Sequence, residues 1–381
     1  MRLFPLPILG GIVCVVWCFG SCRQSKQPAR EAKASAVETA LPAWALGPWT
    51  KLDSVNPVIE PRRDTRFWCP VRKAQVAWEA KDVFNPATVV HRDTLFMLYR
   101  AEDVVGRHHG TSRIGLAWST DGLHFERAPQ PVLYPARDSM FGYEWEGGIE
   151  DPRVVMLPDG RYLMTYTAYD GHTARLCVAT STDLRRWHKH GLAFGETQWR
   201  DTWSKSGAIV SRREGSRLIA HRINGKFWMY WGDTDIFAAT SDDGIRWTPL
   251  TDASGQLIAV LSPRSAMFDS QLVEPGPPAL WTPRGILLLY NSRNAEQGGE
   301  TALPPGTYTA AQALFDAAQP QRLLARLTHY VLAPETTYER TGQVGNVIFI
   351  EGLSLWRGRW YLYYGTADSR IAVAVAPKSF H

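Results

Sequence analysis

Cysteine is scarce in this sequence, five in 381 residues, and two of the five, Cys14 and Cys18, fall in an apolar leader. A scaffold stapled by several disulfides is thereby excluded. Basic runs and tails are absent: Lys plus Arg exceed Asp plus Glu by only 42 to 37, and the excess is spread along the chain, which argues against nucleic acid as a partner. No continuous apolar stretch follows the first twenty residues, so a polytopic membrane protein is excluded. Apolar patterning of helical period is almost missing. There is no Gly-rich nucleotide loop and no Ser-His-Asp order. The ten His include no helical pair at ligand spacing, and His108-His109 lie in a Gly-flanked loop, so the sequence specifies no metal and no cofactor.

Aromatic residues, by contrast, are plentiful: 16 Trp, 14 Tyr and 14 Phe within a chain that is 45% hydrophobic. That is too apolar for a mainly disordered chain and enough for one large domain or two ordinary ones. Met1 and Arg2 precede an apolar run from Leu3 to Phe19, the pattern of a secretory signal. It ends in Phe19-Gly20-Ser21-Cys22, which is similar to a bacterial lipobox. The expected organisation is a lipoprotein-type signal peptide over 1–21, a flexible tether over 22–45 and a folded domain over 46–381. The chain would be exported and held to a bacterial membrane, on its periplasmic or cell-surface side, by a lipid on Cys22. An ordinary signal peptide and a single-span anchor are the alternatives. Processing would leave Cys69 and Cys177, either bridged or as two buried thiols.

Downstream, short aromatic and β-branched runs alternate with Gly, Pro and Asp turns, which reads as mostly β. Leu95–Tyr99, Tyr162–Tyr166, Phe227–Tyr230, Ile286–Tyr290 and Trp360–Tyr364 are representative strands. Ala117–Phe125, Ala179–Trp187 and Ala239–Trp247 share one pattern, Ala-x-Ser-x-Asp followed by an aromatic four residues on. A recurrence of about 60 residues marks stacked copies of one unit, and the length after the tether accommodates about five. The Asp of each copy is expected to cap a turn rather than catalyse. Four-stranded units in radial repetition give a five-bladed β-propeller, all-β; a pair of β-sandwiches is the alternative.

Acids, Arg, Lys and aromatics recur at the strand ends of these units. Asn85-Pro86 precedes the first strand and Tyr99-Arg100 closes it, Glu150-Asp-Pro-Arg153 follows Gly147-Gly148, and Lys205-Ser-Gly-Ala208 opens the third unit, whose second strand ends in Gly232-Asp233. Glu274-Pro-Gly-Pro277 opens the fourth, and Tyr363-Tyr-Gly-Thr-Ala-Asp368 closes the fifth. Carboxylates for proton transfer, charged groups for vicinal hydroxyls and aromatic faces together suit a carbohydrate site.

At these clusters the sequence resembles glycoside hydrolase family 130, from about Asn85 to Val375, through Ser112–Ala117, Gly276-Pro-Pro278, Pro334–Glu339 and Gly345-Asn-Val347 as well. The resemblance implies mannoside chemistry on a five-bladed propeller, with Asp151 as the catalytic acid acting through a mannose hydroxyl. Asn85, Arg100, Arg153 and Asp368 would hold the mannosyl unit, and Lys205 would face sugar or phosphate. Phosphorylase-like members place His-Arg-Pro at the end of the third-unit strand, whereas this strand ends in Asp233, and Glu274 stands at a position typically non-acidic in them. Two carboxylates repel phosphate, and a carboxylate across the sugar from the acid activates water in an inverting hydrolase. The expectation is therefore a mannosidase acting on a mannose-containing oligosaccharide, with Asp233 and Glu274 as the water-activating pair and Glu274 the better placed base. Phosphorolysis is the alternative if His221-Arg222 supplies a phosphate clamp. An arabinanase-type furanosidase and a non-catalytic glycan-binding lipoprotein are the further readings. The loops 106–111, 141–146 and 291–305, with Trp145 and Trp203, are expected to shape the neighbouring subsite.

Overall fold

The computed structural model describes residues 41–378; the leader, Cys22 and all but the last residues of the tether lie outside the described residues. Within them the fold is all-β, with only two four-residue helices, Phe141–Glu144 and Thr337–Arg340. Every strand expected from the aromatic runs is present. Leu95–Tyr99, for instance, lies inside Thr94–Glu102, and Trp360–Tyr364 inside Arg359–Thr366.

The strands group into five antiparallel units. The first comprises Asp82–His91, Thr94–Glu102, Ser112–Ser119 and Glu126–Arg127. Gly148–Met156, Tyr162–Tyr169, Ala174–Ser181 and His188–Leu192 form the second. The third has Ala208–Ile209, Lys226–Trp231, Ile236–Ser241 and Thr248–Pro249. Leu272–Pro275 and Leu280–Thr282 both pair with Gly285–Arg293 in the fourth, which continues through Tyr308–Phe315 to Leu323–Arg326. The fifth, Ile348–Trp356, Arg359–Thr366 and Arg370–Pro377, takes its outer strand, Thr50–Lys51, from the other end of the described chain. Turn chemistry explains the tight connections: Asn224 and Gly225 both adopt positive φ, 52° and 82°, as a two-residue hairpin into Lys226–Trp231 requires. The strands fall into separate sheets, not one closed barrel. An additional hairpin, Ser211–Glu214 with Arg217–Ala220, joins units by running parallel to Leu280–Thr282 on one side and to Met156 on the other.

The three Ser-x-Asp copies do the same local job. Ser119, Ser181 and Ser241 hydroxyls each accept from the backbone N–H three residues on, and Asp121, Asp183 and Asp243 each accept two further N–H groups. Each following aromatic packs on the preceding unit. Trp247, 1% exposed, clusters with Leu163 and Phe194 of the second unit, and Trp187 with Leu98 and Leu116 of the first. Phe125 meets Tyr363 of the fifth unit edge-on at 5.9 Å, while the Tyr363 hydroxyl donates to Gly122 O at 2.7 Å. Burying such side chains contributes roughly 1.5–3 kcal/mol apiece, so the units are joined chiefly by apolar seams. Cys69 and Cys177 are both free and buried, each within its own seam.

Candidate active site

The first strand of each unit begins near one centre, and there the backbone departs from regular β geometry. Bulges occur at Asn85, between Glu150 and Arg153, and at Glu351. Asn85, Asp151, Ser206 and Asp368 all adopt left-handed φ of 49°, 49°, 60° and 49°. Such conformations cost non-Gly residues about 1–2 kcal/mol each and concentrate at functional sites. A bulge also aims consecutive side chains together, which is how Glu150 and Asp151 both reach the centre. Gly365 permits the approach: a Cβ there would stand 2.4 Å from Asn85 Oδ1.

Asp151 is the hub. Its Oδ1 accepts from Asn85 Nδ2 at 2.9 Å and from Arg100 Nη1 at 3.2 Å, and its Oδ2 lies 3.4 Å from Lys205 Nζ. Burial alone would raise the Asp151 carboxyl, yet Lys205, Arg100 and the Asn85 amide hold it well below the usual carboxylate range. Its neighbours go the other way. Burial, opposed by Arg100 and reinforced by Asp151, pushes Glu150 up to about 7, and Asp368, half-buried beside the same groups, also rises to about 7 through desolvation. Lys205 Nζ stands 3.3 Å from Glu274 Oε1, and the Ser206 hydroxyl donates to the same oxygen. Burial raises the Glu274 carboxyl, Lys205 lowers it, and the charge of nearby Asp233 raises it again. One ammonium thus joins the acid of the second unit to that of the fourth, and Asp233 completes a carboxylate pair on the Glu274 side.

Arg153, expected to hold the mannosyl unit, is engaged instead by the main chain and Glu351. It is 1% exposed, and its donors end on Gly276 O (2.7 Å) and Pro275 O (2.8 Å), with Glu351 at 3.0 Å. It is a positioning residue that fastens the Asp151 strand to the main chain just after Glu274. Glu351 is fully buried and lies outside every sequence motif, while Glu150 and Ser206 lie inside motifs but are assigned no role by them. Trp203, 47% exposed, donates its indole N–H to Asp233 Oδ2 at 2.7 Å and so belongs to the Asp233 side. Trp145 instead packs under Arg72 and on Phe141, and Glu146 pins the 103–110 loop through Arg72 at 2.6 Å and Arg107 at 3.4 Å. His221 packs on Trp281, and the Arg222 guanidinium donates to Gly225 O and Asp242 O. Neither contacts Lys205, so these residues form no phosphate clamp with it.

A family model described as beta-1,4-mannooligosaccharide phosphorylase matches residues 55–379. The chain belongs to glycoside hydrolase family 130. Among members of family 130, a 1,2-beta-oligomannan phosphorylase from Thermoanaerobacter sp. (strain X514) is 30% identical over 80% of this chain and 92% of its own length. A glycosyl hydrolase structure from Bacteroides ovatus is 46% identical with a TM-score of 0.86, covering 88% of this chain and 95% of that one. A second structure, 44% identical with a TM-score of 0.86 over the same shares, was reported with the statement that "the GH130 family of mannoside phosphorylases contains glycoside hydrolases that target beta-1,2 mannosidic linkages in Candida mannan". Membership of family 130 leaves the arabinanase-type reading without support.

Proposed function

We propose that this family 130 member is an inverting β-mannoside hydrolase built as a five-bladed β-propeller, each antiparallel unit being one blade. The observation that carries the hydrolytic reading is the pair Asp233 and Glu274 beside Lys205. A phosphate nucleophile needs Arg, Lys and His donors, whereas this side of the centre presents two acids and one Lys already shared with Asp151. Glu274 accepts a proton from water, the water oxygen attacks the anomeric carbon, and the bond to the leaving sugar breaks on the opposite face. Of the adjacent carboxyls beside Arg100, Glu150 carries the proton near neutrality and Asp151 takes it up from there. Asp151 passes it through a mannose hydroxyl to the departing oxygen. Asn85, Arg100 and Asp368 hold the mannosyl unit. The 44% identical structure makes β-1,2-linked mannosides the first substrates to try.

The test is incubation of a form beginning after Cys22 with β-1,2-mannobiose, with and without inorganic phosphate. Free mannose produced equally in both is the expected outcome; mannose 1-phosphate formed only with phosphate would establish phosphorolysis, the reaction of the curated relatives at 25–30% identity. Lipid anchoring at Cys22 remains part of the proposal, resting on the leader sequence, and is tested by loss of membrane association and of acyl label in Cys22→Ser.

A further inference from the structure

At the seam between the first and fifth units a cavity of about 540 Å³ opens on the same end of the strands as Asp151; Arg63, Lys81, Asp82, Gln343, Ser369 and Arg370 line it. Two continuities connect it to the site. Ser369 follows Asp368 directly, and Asp82 precedes Asn85 by three residues of one strand, about 10 Å of extended chain. Behind the cavity Lys81 Nζ pairs with Glu102 at 2.7 Å, Glu102 with Arg100 at 2.7 Å, and Arg100 with Asp151 at 3.2 Å.

The cavity also lies on a definite side of the chemistry. Arg100 holds Asp151 Oδ1, while Lys205, with the Glu274 side beyond it, approaches Oδ2. In an inverting displacement, water and leaving group occupy opposite faces of the sugar. With water on the third- and fourth-unit side, the leaving portion of the substrate departs toward the first and fifth units, where this cavity opens. Its lining sets the ligand class. The cations Arg63, Lys81 and Arg370 are matched by Asp82, by Glu60 at 3.0 Å from Arg370 and by Glu102 behind Lys81. Burial lifts the Asp82 carboxyl above its ordinary value, with the Ser369 hydroxyl beside it working in the opposite direction. A balanced set of charged and amide groups suits vicinal hydroxyls better than an anion, which would need unopposed cations.

We propose that this cavity is an accessory subsite that takes a further, neutral sugar of a longer mannoside, beyond the leaving sugar. The proposal rests on the mannoside reading above. Arg63→Ala and Gln343→Ala test it, since neither side chain touches Asp151, Lys205 or Glu274. The wild type is expected to process β-1,2-mannotetraose with kcat/KM about tenfold above that for β-1,2-mannobiose, the scale of one or two hydrogen-bonded contacts. In the double variant the tetraose advantage falls to twofold or less while mannobiose turnover stays within twofold. Equal losses on both substrates, or an unchanged ratio, would overturn the subsite. Calorimetric titration of Asp151→Asn with the same sugars separates this failure from failure of the hydrolytic reading. Tetraose affinity that drops on adding the two substitutions supports the cavity whichever nucleophile the enzyme uses, and affinity that does not drop removes it.

Discussion

Replacing Glu274 by Gln isolates its proposed water-activating role with little other disturbance. The amide keeps the size of the carboxylate, and its Oε1 can still accept from Lys205 Nζ, 3.3 Å away, and from the Ser206 hydroxyl. Main-chain support is untouched, because Arg153 grips Pro275 O and Gly276 O and not the Glu274 side chain. What is lost is the ability to take a proton from water. General-base catalysis is worth typically 10²–10⁴-fold, about 3–5 kcal/mol of barrier, so kcat for mannose release from β-1,2-mannobiose in phosphate-free buffer should fall by that factor. Sugar affinity should change by less than threefold, since Asn85, Arg100 and Asp368 are unaltered. The assay is a coupled mannose measurement on the purified variant, accompanied by titration of binding. Turnover within threefold of wild type would refute the role of Glu274 as base and pass it to Asp233.

Asp151→Asn should lower kcat by a comparable factor, most strongly for sugar leaving groups and least for activated aryl mannosides, which need protonation less; equal losses on both would remove it from the acid side. The pH profile of kcat/KM should bend downward above about 7, because the acid side must carry a proton and Glu150 and Asp368 lose theirs there; a rate flat to about pH 9 would contradict this proton scheme. Asp183→Ala removes the acceptor for Arg185 N and Arg186 N and should cost about 1 kcal/mol, read as a Tm lower by roughly 1–2 °C. Although partial burial tends to raise the Asp183 carboxyl, the backbone donors hold it low. The stabilisation is therefore present above the ordinary Asp pKa and fades as pH falls through the lowered value. The gap between variant and wild type should narrow in acid, reduced in size by the exposure of the side chain.

Much of the strand framework was legible because strand and turn chemistry are local: Asn224-Gly225 announces its hairpin, and the Ser-x-Asp copies announce their capped turns. Asn85, Asp151, Lys205, Glu274 and Asp368 converge in the structure as their motifs suggested, each at the opening or closing strand of a different unit. The bulges were less legible. Alternation along Gly148–Met156 would send Glu150 and Asp151 to opposite faces, and only the extra residue opposite Thr165 to Thr167 brings both inward. Glu351 escaped notice for the same reason. For Arg153 nothing local shows that its donors are engaged by carbonyls 122 and 123 residues away. No local pattern announced that the hairpin Ser211–Glu214 with Arg217–Ala220 links strands of other units through parallel pairing.

Arg153 also bears on how such an enzyme could change. By tying the Asp151 strand to the main chain at Pro275 and Gly276, it makes the spacing of the two acids proposed to react a property of the framework. Sequence drift in the 103–110 loop, at Trp203 or around Gln343 can then remodel which linkage or chain length is accepted while the stereochemical course stays fixed. Conversely, a change at Arg153 itself would disturb every substrate alike, so selection for new specificity has somewhere to act that does not endanger the reaction.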